Sequence, residues 1–148
     1  MVLLVAYGVV PVQGESQIRY AAKIVCGRAT GEIVKTYSHA PGVYYTTITL
    51  ANLGGARVNA TQSVTLTFPL PKVAKQMASD WSLEPGAARA VTCGDLYKLV
   101  GVEQGVFLEG FVHITGGPTS FDAAAVYTLF DGNYPVSIDV EHLTPSAR

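Results

Sequence analysis

Gly105–Phe130 reads GVFLEGFVHITGGPTSFDAAAVYTLF. Its first part alternates. Val106, Leu108, Val112 and Ile114 fall on one side of an extended chain, and Phe107, Glu109, Phe111 and His113 on the other, the period of two that a β-strand imposes. Gly116, Gly117 and Pro118 interrupt it, because Gly accepts positive φ and Pro has no amide to give to a ladder. Phe121–Phe130 is apolar on both sides, with Ala123, Ala124 and Ala125 small enough for close approach of whatever packs above. That pattern suits a strand covered on both faces. The stretch predicts two strands joined by a Gly-Pro turn, a central hairpin at the middle of a β-sandwich. Asp131-Gly132 then signals a turn. Val136–Leu143 is a third strand, with Val136, Ile138 and Val140 expected toward the core and Ser137, Asp139 and Glu141 toward water.

Working outward, Gln17–Cys26 alternates with Ile18, Tyr20, Ala22, Ile24 and Cys26 on one face. Gly27–Gly42 is rich in turn residues and holds a short strand near Glu32–Tyr37. Tyr44–Asn52 is a strand with Ile48 and Leu50 inward and Thr47 and Thr49 outward. Leu53–Asn59 reads as a loop. Ser63–Leu70 is a strand ended by Pro69 and Pro71. Val73–Leu83 has helical spacing, with Val73, Met77 and Trp81 four residues apart. Glu84-Pro85-Gly86 is a turn, Ala87–Cys93 a short strand, and Asp95–Val100 a helical turn capped by Asp95. Short strands punctuated by Gly and Pro predict an all-β chain, an immunoglobulin-like antiparallel β-sandwich of about seven to nine strands with one or two helical turns.

A chain of 148 residues is long enough to bury a core as one domain, here 15–148. Charged residues make up 14%, below the roughly 25% of an average soluble domain. The net charge is −1, and the nearest thing to a basic cluster is Lys72 with Lys75. Nucleic-acid partners are therefore not expected, since that affinity is built from neutralised phosphates. No apolar run is long enough for a spanning helix. Met1–Val12 is apolar and uncharged, and three readings stay open for the 1–14 segment. It is the remnant of an export signal, an ordinary first strand, or a strand donated to a neighbouring subunit.

Cys26 and Cys93 end predicted strands, and each is followed by Gly. Neither has a second ligand at metal spacing. A disulfide between them is the leading reading, with two buried free thiols as the alternative. His39, His113 and His142 form no paired-ligand pattern, and no nucleophile, phosphate or dinucleotide motif is present. No enzyme activity, metal or cofactor is expected. Asp122, Asp131, Asp139 and Glu141 cluster near strand ends, without the spacing of a Ca²⁺ loop. Asn59-Ala60-Thr61 is a glycosylation sequon in the predicted loop. Tyr37, Tyr44 and Tyr45 flank the turn Ala40-Pro41-Gly42, and Phe107 and Phe111 bracket Glu109. These five aromatics are the candidate interaction surface.

The runs APGVYYTTITLANL, LEPGAARAVTCGDL and FLEGFVHI with FDAAAVYTLF resemble a group of uncharacterised bacterial exported proteins with an immunoglobulin-like sandwich. Together they span roughly half the chain. The resemblance implies an exported, non-enzymatic β-domain and transfers no activity. The expected function is an extracytoplasmic (secreted, periplasmic or cell-surface) structural or interaction module. It would partner protein, either itself as a homo-oligomer or a larger assembly, with the apolar N-terminal segment as the candidate contact. The alternative is a module that binds carbohydrate or a small ligand.

Overall fold

The computed structural model describes residues 17–68, 77–117 and 121–147. The expectations for Met1–Val12 lie outside these residues. The fold is all-β and antiparallel, with two short helices.

β1 (Ile18–Ala29) ties the strands together. From Ile18 to Cys26 it pairs with β6 (Leu108–Gly116), and from Gly27 to Ala29 with the start of β2 (Gly42–Ala51). The change of partner falls at Gly27, where φ is +89°. That value is open to glycine and costly for a residue with a Cβ. On one side of β1 the order is β4 (Met77–Leu83), β3 (Val58–Phe68), β6, β1, with the two-residue β9 (Ser146–Ala147) on the first residues of β1. On the other side β2 pairs with β7 (Asp122–Asp131), and β7 with β8 (Tyr134–His142). β5 (Ala88–Thr92) takes the remaining flank of β2. Tyr20, Ala22, Ile24 and Cys26 of β1, Val112 and Ile114 of β6, and Ile48, Leu50, Ala123 and Ala125 of β2 and β7 all join one buried cluster. The inward residues of both sets of strands thus share a core.

Cys26 and Cys93 are disulfide-bonded, with Cα atoms 5.7 Å apart. The strands that lead to them, β1 and β5, are not neighbours. Cys93 opens α2 (Cys93–Val100), directly after β5, which pairs with β2 rather than with β1. The N-cap of α2 is Thr92, and Asp95 stands at the third helical position of a capping box. Thr92 Oγ1 accepts from the Asp95 amide, and Asp95 accepts from the Thr92 amide and hydroxyl. Those donors hold the Asp95 carboxyl below the usual carboxylate range.

Other expectations are corrected. β6 and β7 do not form a hairpin: β6 lies between β3 and β1, and β7 between β2 and β8. Glu32–Tyr37 is the helix α1, not a strand. Met77–Leu83 is β4, not a helix. A spacing of four is even, so it keeps residues on one face in a strand as it does in a helix. β3 begins at Val58, so Asn59 lies in a strand and not in a loop. The loop before it is held by buried Asn52, which donates to the carbonyls of Ala56 and Leu83 and accepts from the Gly54 amide.

Candidate functional site

Two features stand apart from the core. The first is a cleft of about 330 Å³ beside β1, reached by Lys23, His39, Tyr44, Tyr127, Asp139 and Glu141. Glu109 on β6, behind the cleft, holds two of its lining side chains. It accepts from Lys23 Nζ at 2.8 Å and from His39 Nε2 at 3.1 Å. His39 is brought there by the bend between α1 and β2, and its ring lies 5.1 Å from Phe107 and 5.7 Å from Tyr44. Burial opposes the charge on Glu109, yet Lys23 and His39 together hold its carboxyl below the usual range. One wall is closed by Tyr127, whose hydroxyl donates to Glu141 at 2.8 Å. Burial first, and then the two nearby carboxylates, push that phenol well above its ordinary range. The polar groups of the cleft are thus largely engaged with one another.

A lowered Glu109 carboxyl contributes stability above its unfolded range and loses it as pH falls through the folded value. Glu109→Gln is expected to cost about 1 kcal/mol at pH 7, since the Lys23 partner is 49% exposed and screened. The difference from the parent should shrink toward zero at pH 3. Urea unfolding at both pH values checks it, and a cost independent of pH would remove the ion pair from the account.

The second feature is the outer face of the β2–β7–β8 sheet. Register places Tyr45, Thr128 and Ile138 in one row and Thr47, Val126 and Val140 in the next. Thr46, Tyr127 and Asp139 form the alternate row, on the core side. The expectation for β8 is therefore reversed. Ser137, Asp139 and Glu141 point to the core side, where Asp139 and Glu141 line the cleft, and Ile138 and Val140 point outward. Every residue of β8 is exposed, Ile138 at 64% and Val136 and Val140 at 57%. Alternation distinguishes two faces, but among the described residues β8 is the last strand of its sheet and neither of its faces is covered. On the outward rows, residues 43–51 of β2, 124–130 of β7 and 136–140 of β8 include no Asp, Glu, Lys or Arg. The outer side of the β3–β6–β1 sheet differs, carrying Arg19, Lys23 and Glu109.

The edge of β8 is guarded. The pairing with β7 shifts register between Leu129 and Phe130, opposite Pro135 and Ser137, so Val136 is bulged. Pro135 brings no amide. The Val140 amide is taken by Asp139 Oδ1 at 2.9 Å. A bulge, a proline and inward-pointing carboxylates are the devices that keep an edge from adding strands.

The five aromatics expected to form one surface separate. Phe107 is 3% exposed and packs with His39 and Tyr44, so the outward side expected for it is corrected. Val106, expected on the strand side of Leu108, Val112 and Ile114, is exposed and precedes β6. Tyr44 donates to the Ala40 carbonyl at the rim of the cleft. Tyr45 stands on the outer face against Phe130, with ring centroids 5.6 Å apart. Phe111 lies on the other sheet beside His113. Tyr37 closes α1. Ile138, Val140 and Val126 were missed as surface residues because their β-propensity and alternation read as core.

Among the described residues no group of three or more His, Cys, Asp or Glu is placed to hold a metal, and no helix is long and apolar enough to cross a membrane. No family model and no curated protein matches the chain. A solved structure is similar: the crystal structure of Thermotoga maritima 1070, 9% identical with a TM-score of 0.54, aligned over 90% of this chain and 96% of that one. At that identity the likeness concerns the fold alone, an antiparallel all-β domain.

Proposed function

We propose that the chain is a non-enzymatic, extracytoplasmic interaction module, an immunoglobulin-like β-sandwich that self-associates. The observation that carries this is the uncharged outer face of β2, β7 and β8, with Ile138 and Val140 more than half exposed. Monomeric proteins seldom leave contiguous apolar patches of more than a few hundred Å² open to water. The buried disulfide supports export, because such bonds persist in oxidising compartments. The cleft at Glu109 is large enough for a small ligand, but its polar groups already satisfy one another. A sugar-binding reading therefore comes second.

Light scattering on the full chain, and on a chain lacking Met1–Val12, tests the proposal. A mass above the monomer for the full chain is expected. A monomer up to near-millimolar concentration would overturn self-association.

A further inference from the structure

Resting on that reading, we infer that the partner is a second copy of this chain, stacked outer face to outer face across β2, β7 and β8. Strand addition at the β8 edge is the competing geometry, and the edge argues against it. Its bulge at Val136, the proline before it and the Asp139 carboxylate on the Val140 amide all hinder a ladder with another strand. The face carries no such obstruction.

Size and charge fit a second copy. β7 has ten residues. At about 3.4 Å per residue, and about 4.8 Å between strands, β5, β2, β7 and β8 present a plane of roughly 30 by 20 Å. A side-chain-covered plane of that extent approaches the ~800 Å² per partner of a standard interface. Two sheets stacked this way sit about 10 Å apart, with Tyr45, Val126, Ile138 and Val140 interdigitating with their counterparts. The Tyr45 and Thr47 rows offer no charge to read, and the charge at this border is Arg28 of β1, opposite Val43 at the corner of the face. A second copy centred on the Thr47, Val126 and Val140 row meets an equally neutral surface, with Arg28 of each copy at the margin and not at the centre. The two-fold relation also closes the assembly, because each face is used once.

Sedimentation velocity from micromolar to near-millimolar concentration tests this on the full chain and four variants. Val126→Asp and Thr128→Lys place a charge in the face, on a strand that has no free edge. Each is expected to weaken the dimer roughly a hundredfold or more. Asp139→Ala frees the Val140 amide at the edge and is expected to leave the dimer within about twofold. Removal of Met1–Val12 is also expected to leave it intact. Far-UV circular dichroism confirms folding, and Thr128→Lys decides if Val126→Asp unfolds. A dimer that survives both face charges overturns face stacking, while self-association stands. Tighter association of Asp139→Ala, or loss of the dimer on truncation, moves the contact to the edge or to the N-terminal segment and also overturns it. A wild-type chain that stays monomeric throughout fails the self-association reading itself.

Discussion

Replacing Cys26 and Cys93 together by serine lowers the unfolding free energy by about 4 kcal/mol. The bond spans 67 residues of sequence. In the chain-entropy account it acts by denying the unfolded chain that much freedom, and the cost of losing it grows slowly with loop length. The folded side loses as well. The Thr46 amide donates to Cys93 Sγ at 3.1 Å, inside the core, and Thr46 Oγ1 bridges to the amide and carbonyl of Val25. Serine can replace the sulfur as an acceptor, so the loop term should dominate. Urea unfolding of the parent, of the reduced parent and of the double variant measures it. The reduced parent and the variant should agree. A loss under about 1 kcal/mol in both would mean that the unfolded chain stays compact around these residues without the bond.

Gly27→Ala, one residue further along, costs about 3 kcal/mol or more. Gly27 has φ +89°, and a Cβ there would lie 2.3 Å from the Val106 carbonyl oxygen and 2.8 Å from the Tyr97 hydroxyl. That hydroxyl donates to the same carbonyl at 2.9 Å. The new methyl would break this bond, or push the chain before β6 away from β1, while also forcing a left-handed backbone. Gly55→Ala is the control. Nothing lies within 4 Å of a Cβ there and its φ is not in the left-handed region, so a change within about 0.5 kcal/mol is expected. Equal effects at both positions would show that the cost at Gly27 is backbone entropy and not the crowded crossing.

Much of this was legible locally. Tyr20, Ala22, Ile24 and Cys26 alternate in the sequence and are buried in the structure, because a strand has only two faces and one of them met a core. The two Cys-Gly pairs pointed to a bond, and the Gly of the first marks where β1 changes partner. The misread elements have physical causes. Met77 and Trp81 are spaced by an even number, which helix and strand share. Phe107 was assigned a face by extending the β6 alternation backward, but the strand begins only at Leu108. The cluster of Glu109, Lys23 and His39 had no signal, since its members are 70 and 86 residues apart at their nearest and farthest from Glu109.

By itself, the sequence determined the all-β class and most strand positions. Those follow from the steric period of an extended chain and from the conformational limits of Gly and Pro, which act within a few residues. Which strands became neighbours, and which face of each was covered, only the tertiary structure decided. β8 shows why. Ser137 to Val140 alternate as cleanly as any core strand, yet Ile138 and Val140 face outward and Asp139 faces the core side. Burial is a property of what packs against a strand, and nothing within the strand encodes that.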